Sequence, residues 1–113
     1  MRTVTIKTKQ FEKIKELVEA GIFFSLSEIV RFSLFLYFED SINPRNHIFY
    51  YKNIGKTHQV SFKMQLFYYE RLEYLKKHYC VPISKIISVA LDIGFAYADN
   101  FLKQPPVLLR QYK

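Results

Sequence analysis

The sequence repeats one order of elements, a strand followed by two helices. Residues 3–7 (Thr-Val-Thr-Ile-Lys) and residues 59–63 (Gln-Val-Ser-Phe-Lys) each alternate polar and apolar side chains, and they lie 56 positions apart. Each run precedes two segments of helical periodicity that are separated by a short break. A unit of roughly 40 residues seldom buries enough apolar surface to offset the entropy of its chain. The two units are therefore expected to share one core.

In the first unit, the residues after the strand predict two helices. The apolar face of the first helix consists of Phe11, Ile14, Leu17 and Val18. Gly21 is expected to end this helix in the left-handed conformation, as glycine commonly does at that position. The second helix is expected to start at the capping-box sequence Ser25-Leu26-Ser27-Glu28 and to stop before Pro44.

The second unit repeats this arrangement with local changes. At an offset of 57, the apolar residues of the two second helices coincide: Ile29 with Ile86, Val30 with Ile87, Leu34 with Leu91, Leu36 with Ile93 and Phe38 with Phe95. At the helix start, Pro82 and Lys85 replace Ser25 and Glu28, so the capping box is lost. Within the helix, Gly94 costs about 1 kcal/mol relative to alanine and is expected to permit a close contact between helices.

These patterns predict a mainly α-helical protein with one two-stranded antiparallel β-ribbon. The first unit is assigned to residues 1–40, a connector to 41–57, the second unit to 58–103 and a C-terminal tail to 104–113. The aromatic run Ile48-Phe49-Tyr50-Tyr51 in the connector is interpreted as a strap over the core in preference to a binding surface. The tail is interpreted either as a frayed end or as a hook for a neighbouring molecule.

The charge of the chain favours an anionic partner. The formal net charge is +7 and the isoelectric point is about 9.5. Residues 1–40 carry six basic and six acidic side chains. Residues 41–57 carry three basic side chains and no acidic one, and residues 58–113 carry eight basic and four acidic side chains. Excess lysine is also common on ordinary soluble surfaces, so the charge alone is weak support for binding to nucleic acid.

Composition also bears on the compartment. Half of the residues are hydrophobic and 18% are aromatic, which excludes general disorder. No apolar run approaches the roughly 20 residues of a membrane span, and the N-terminus has no signal-peptide pattern. We therefore expect a soluble, cytoplasmic protein. The single cysteine, Cys80, forms no internal disulfide, which agrees with a reducing compartment.

The residue inventory disfavours an enzyme. His47, His58 and His78 are scattered, no serine lies in a nucleophile elbow, and no glycine-rich loop follows a strand. His78 and Cys80 are two positions apart, but two ligands without a second pair make a poor metal site. We therefore expect no catalytic residue, metal, cofactor or small-molecule ligand. The histidines are interpreted as surface or helix-end groups.

The strands carry the most informative side chains. The residues predicted to face away from the core are Thr3, Thr5, Lys7, Gln59, Ser61 and Lys63. If the strands pair antiparallel, with helices behind them, they form a ribbon with a free polar face. Such a ribbon fits the major groove, where lysine donates to guanine, glutamine binds adenine and threonine contacts the thymine methyl. On periodicity alone, an amphipathic edge strand with a solvated face is an equally good interpretation.

The repeated order of elements resembles the ribbon-helix-helix DNA-binding proteins of the MetJ/Arc/CopG type. The resemblance rests on the outward polar strand residues, on the helix start Ser25-x-Ser27-Glu28-x-x-Arg31 and on the similar Ser84 and Ser88-Val89-Ala90-Leu91 of the second unit. It covers residues 2–40 and 58–102. Members are usually dimers in which each chain contributes one strand, whereas both strands here belong to one chain. The whole chain resembles tandem members of this family from archaeal filamentous viruses.

The resemblance implies a tandem ribbon-helix-helix fold with a pseudo-two-fold axis and a sequence-specific transcriptional regulator of double-stranded DNA. The six outward strand residues would contact bases. A phosphate would lie at the start of each second helix, where free amides and the helix dipole favour an anion. The residues implied in these phosphate contacts are Ser25, Leu26, Ser27, Ile83, Ser84 and Lys85. Self-association on DNA is a further expectation, and a viral source would place the protein in the host cytoplasm.

Two other classes of function remain open. The chain would be an antitoxin-like interaction module if its tail, with Leu108, Leu109 and Tyr112, bound a partner protein. It would be a purely structural repeat if its ribbon bound nothing. A basic ribbon face favours DNA binding over the structural repeat, and a tail that orders only on a partner favours the antitoxin. The operator, and the choice between repression and activation, are not determined by these residues.

Overall fold

The computed structural model describes residues 2–39 and 55–102. Its elements in chain order are β1 (Arg2–Lys7), α1 (Thr8–Glu19), α2 (Leu26–Glu39), β2 (Thr57–Phe62), α3 (Leu66–Tyr79) and α4 (Ile83–Leu102). The predicted mainly α-helical fold with a two-stranded antiparallel ribbon is confirmed. The aromatic run at 48–51 and the tail at 104–113 lie outside the described residues, so the interpretations attached to them stay predictions.

The two strands form one antiparallel sheet in which Val4 lies opposite Val60. One face of this ribbon is buried, and its apolar residues are Val4, Ile6, Val60 and Phe62. The predicted alternation is therefore confirmed on the apolar side. β2 begins at Thr57, two residues before the alternating run, because Thr57 and His58 pair with Lys7 and Ile6. It ends at Phe62, so Lys63 follows the strand.

The helices cover the apolar face of the ribbon. Buried residues from all six elements belong to one hydrophobic cluster, which includes Ile14 of α1, Leu34 of α2, Leu72 of α3 and Leu91 of α4. The residues predicted to share one face of α2 and α4 are buried or partly buried, and all of them except Leu36 belong to this cluster or pack against it. The core is therefore continuous between the two predicted units.

α2 and α4 approach each other closely where Gly94 faces Ser33. A Cβ atom added at Gly94 would overlap Ser33 Oγ and would lie 3.0 Å from Ser33 Cβ. Ordinary contacts between such carbon atoms require about 3.5 to 4.0 Å. The prediction that Gly94 permits a close helix contact is confirmed, and its partner is the buried Ser33.

The ends of the helices follow the predicted signals. Gly21 has a φ of +76°, and the amides of Gly21 and Ile22 donate to the carbonyls of Val18 and Leu17 at 3.0 Å. These paired bonds form a Schellman motif, which satisfies carbonyl groups at the end of α1. α3 ends at Tyr79, and its C-cap residue, Cys80, adopts the left-handed conformation with a φ of 55°. Its last turn carries Lys76, Lys77 and His78, as predicted for a helix C-terminus.

Candidate nucleic-acid interface

The polar side chains of the ribbon lie on the face opposite the core. Thr3, Gln59, Ser61 and Lys63 are exposed, whereas Thr5 and Lys7 are half-buried. The strand register places Thr3 opposite Ser61 and Thr5 opposite Gln59. Four of the six predicted base-contacting residues are therefore neighbours in two cross-strand pairs, with Lys7 at the end of β1 and Lys63 just beyond β2.

Thr3 and Ser61 are hydrogen-bonded to each other across the ribbon. Their hydroxyl oxygens are 2.8 Å apart, and either hydroxyl can be the donor. A hydroxyl group has one donor and two acceptor lone pairs, so each retains hydrogen-bonding capacity toward a ligand. The ribbon thus presents a preformed pair of hydroxyls beside the longer Gln59 side chain.

The start of each second helix is attached to the ribbon by a serine hydroxyl. The Thr5 amide donates to Ser84 Oγ at 3.2 Å, and the Lys63 amide donates to Ser27 Oγ at 3.4 Å. The start of α4 therefore flanks β1, and the start of α2 flanks the chain that leaves β2. Ser27 and Ser84, which the resemblance assigned to phosphate, hold the two helix starts beside the polar face.

The first helix start contains the predicted capping interactions. The Glu28 amide donates to Ser25 Oγ at 3.3 Å, and Glu28 Oε1 accepts from the Phe24 amide at 3.3 Å. In a standard capping box the glutamate would accept from the N-cap residue, Ser25, so the return bond is displaced by one residue. The carboxylate of Glu28 is consequently held at the start of α2.

The second helix start has a different set of groups. The carbonyl of Pro82 accepts from the amides of Lys85 and Ile86 at 3.1 and 3.3 Å. Ile83 is buried in the core, so only its main chain is available for a phosphate contact. Ser84 and Lys85 are half-buried. A lysine therefore stands at this start in the position that Glu28 occupies at the first one.

Sequence reasoning missed Gln10, a buried polar residue that joins the ribbon to α4. Its Oε1 accepts from the Lys7 amide at 3.1 Å, while its Nε2 donates to the Ser88 carbonyl and to Asp92 Oδ1, both at 2.9 Å. The three-residue separation of Lys7 and Gln10 is that of a capping box, but lysine is not a typical N-cap residue. The signal in the sequence was therefore weak.

Charged and aromatic pairs hold α1 in place beside this site. Lys13 Nζ lies 2.7 Å from Asp99 Oδ1 on α4, and this hydrogen bond raises the pKa of Lys13. The ring of His58 in β2 stacks on Phe11 of α1 with centroids 4.0 Å apart. His78 lies in the last turn of α3 and stacks on Tyr74.

The described residues contain no group of three or more His, Cys, Asp or Glu side chains placed to hold a metal ion.

Within residues 2–39 and 55–102, no single helix is long and apolar enough to cross a membrane. One bent pair, Leu66–Tyr79 with Ile83–Asn100 at 115°, meets the length and composition requirements only when its two helices are taken together.

The chain was compared with known families and proteins. No family model matches it, and no curated protein or solved structure was found to be similar to it.

Proposed function

We propose that this protein is a sequence-specific DNA-binding regulator with a tandem ribbon-helix-helix architecture. Its β-ribbon would enter the major groove, and the starts of α2 and α4 would contact the phosphates on either side. The observation that carries this proposal is the attachment of both helix starts to the ribbon through Ser27 and Ser84. Groups suited to reading bases and groups suited to binding phosphates consequently lie next to each other.

The register of the ribbon supports a pseudo-two-fold relation between the units. At the offset of 56, Val60 is the counterpart of Val4, and these two residues lie opposite each other in the sheet. A two-fold axis through this pair would exchange the two strands. At the offset of 57, Ser84 is the counterpart of Ser27, and each of them accepts a hydrogen bond from the other unit, Ser84 from Thr5 in β1 and Ser27 from Lys63 just beyond β2. One chain would thus present what two identical chains usually form.

The dimensions of the ribbon suit the major groove. Paired strands lie about 4.8 Å apart, and six residues extend over about 20 Å. The major groove of B-DNA is about 12 Å wide, which accommodates a two-stranded ribbon with its side chains. The amphipathic sheet keeps its apolar face on the helices, so insertion would bury only polar side chains against the bases.

The two kinds of contact would have separate roles. Gln59 would bind adenine in bidentate fashion, and Lys7 and Lys63 would donate to guanine. Thr3 would make at most a methyl contact or one hydrogen bond. The first amides of an α-helix have no intrahelical partner, so those of Leu26, Ser27, Ile83 and Ser84 are suited to an anion. These phosphate contacts would set the orientation on the duplex without reading the sequence.

A direct test combines site selection with single substitutions. The preferred duplex would first be selected from random DNA with the intact protein, and affinities would then be measured on that duplex and on a scrambled one. Gln59→Ala or Lys63→Ala should weaken binding to the selected duplex by about 1 to 3 kcal/mol and affect the scrambled duplex much less. Lys76→Ala removes the same charge from the last turn of α3 and serves as the matched control for Lys63→Ala.

The control variant should change both affinities by the same small factor. Equal losses of affinity on both duplexes for Lys63→Ala would indicate that Lys63 contacts a phosphate and not a base. If selection returned no preferred sequence and binding were insensitive to salt, base recognition by the ribbon would be excluded. That outcome would favour the protein-interaction class of function, whose tail residues lie outside the described part of the chain.

A further inference from the structure

Phe24 is the most exposed large apolar side chain among the described residues, at 92%. It lies in the loop between α1 and α2, immediately before the capping residue Ser25. The loop is anchored on both sides of this ring. Phe23 packs on Phe32 of α2 with centroids 5.3 Å apart, and the Phe24 amide donates to Glu28. The phenyl ring is therefore held in solvent by a backbone with defined contacts.

The corresponding position of the second unit has the opposite character. At the offset of 57 the counterpart of Phe24 is Val81, which is buried in the core. The counterpart of Glu28 is Lys85. One helix start therefore combines an exposed phenyl ring with a carboxylate, while the other combines a buried side chain with an ammonium group. The two starts differ both in charge and in exposed apolar surface.

This difference matters for a DNA partner. A carboxylate at a helix start opposes a phosphate, so the first start is electrostatically weaker than the second. The sugar-phosphate backbone also has an apolar part, because its deoxyribose rings expose carbon-bound hydrogens between the phosphates. A phenyl ring next to a helix start that approaches the backbone is well placed to cover such a sugar. Covering it removes apolar surface from water on both molecules.

We propose that Phe24 contacts the deoxyribose rings of the duplex at the half-site bound by the first unit. This inference rests on the proposed DNA-binding function and adds a nonpolar contact to it. The protein would then hold its two half-sites by different chemistry, through charge at the start of α4 and through the phenyl ring of Phe24, which the sugars would cover, at the start of α2. A sugar is present at every nucleotide, so this contact raises affinity without selecting a sequence.

The test measures affinity against salt concentration for the intact protein and its variants. Phe24→Ala should weaken binding about fivefold to tenfold on the selected and the scrambled duplex alike, as expected for partial burial of a phenyl ring. The slope of log affinity against log salt should not change, because no phosphate contact is lost. Lys85→Ala should make the same slope shallower. Phe24→Leu keeps the apolar surface and should bind within about twofold of the wild type.

Phe35→Ala is the matched control. Phe35 is 53% exposed and lies nine residues beyond the start of α2, which is about 14 Å along the helix. Its replacement should leave affinity unchanged. Circular dichroism of each variant would establish that the fold is retained, as expected for replacements of exposed rings.

Three outcomes would overturn the inference. If Phe24→Ala bound DNA with unchanged affinity while Lys63→Ala still bound more weakly, Phe24 would not be part of the interface, although the protein would still bind DNA. An altered salt slope would show that the substitution acts through the charged groups of the helix start. An equal loss for Phe24→Leu and Phe24→Ala would indicate stacking on a base, because that interaction requires an aromatic ring. Absence of binding by the wild type would instead count against the proposed function itself.

Discussion

The hydroxyl of Tyr37 is buried in the core and has no hydrogen-bond partner among the described residues. Burial raises the pKa of this phenol, and the nearby Tyr79 adds to the shift. The Oγ atoms of Ser33 and Ser88 are also buried without a partner in the described part of the chain. A buried polar group without a hydrogen bond lowers stability by about 1 to 3 kcal/mol. The core therefore contains identifiable sites at which a less polar residue would be favourable.

Tyr37→Phe should raise the free energy of unfolding by about 1 kcal/mol, because it removes an unpartnered hydroxyl and keeps the ring. It should also change the dependence on pH. The pKa is higher in the folded state than the usual value of about 10, so only the unfolded state ionises as the pH rises past that value. Ionisation of Tyr37 therefore leaves the free energy of unfolding unchanged below about pH 10 and lowers it as the pH rises above that value. Urea unfolding at pH 8 and near pH 10.5 would measure both effects.

The control for this substitution is Tyr97→Phe, at a position that is 50% exposed. This variant should show the same loss of stability between the two pH values as the wild type, whereas Tyr37→Phe should lose less. A destabilised Tyr37→Phe protein would mean that the hydroxyl has a partner in solution.

At the scale of elements, the crossing of α2 and α4 determines how closely the two helices pack. Glycine in a helix interior lowers stability by about 1 kcal/mol relative to alanine. At Gly94 the helix propensity favours alanine, but the packing favours glycine, because a Cβ atom would overlap Ser33 on α2. Overpacking typically costs about 1 to 3 kcal/mol, so the packing effect is expected to win.

Gly94→Ala should therefore destabilise the protein by up to about 2 kcal/mol, in spite of the better helix propensity of alanine. Introducing Ser33→Gly in the same chain removes the opposing Cβ and Oγ atoms and should recover much of the loss. A double-mutant cycle based on urea unfolding would give the coupling energy between the two positions. Ala96→Gly, at an exposed position of α4, would calibrate the intrinsic effect of glycine. Additive losses would contradict direct contact across the crossing.

At the scale of the whole molecule, neither strand has a partner within its own unit. β1 pairs with β2, and the buried cluster draws on both halves of the chain. The first half alone would expose its ribbon edge and the apolar face of α2. Its strand is nevertheless self-complementary under the observed register, because Val4 lies opposite its own counterpart, Val60.

A fragment of residues 1–45 should consequently be unfolded at low concentration and should gain helix only as it dimerises. Circular dichroism and sedimentation over a range of concentrations would measure this transition. The intact chain should remain a folded monomer in the absence of DNA over the same range, because the tether gives the internal partner an effective concentration on the order of millimolar. A fragment that folded as a monomer would contradict the shared core, and strand exchange between intact chains at micromolar concentration would contradict internal closure.

Local patterns were sufficient to predict the elements. A side-chain period of two predicted the ribbon, a period near 3.6 predicted the helices, and Gly21 and Ser25 marked two of their ends. These signals arise from residues that are close in sequence, so they are readable without the fold. The outward set of strand residues belongs to this class, because alternation assigns each side chain to a face.

Which distant residues meet depends on the packed fold and was not readable from local patterns. The tertiary hydrogen bonds join residues that are at least 36 positions apart: Ser27 with Lys63, Ser84 with Thr5, Gln10 with Ser88 and Asp92, and Thr3 with Ser61. The bond that the Lys7 amide donates to Gln10 is local. The contrast between the exposed Phe24 and the buried Val81 likewise depends on how each loop packs against the helices. Periodicity assigns a side chain to a face of its element, whereas its partners depend on the packing of whole elements against one another.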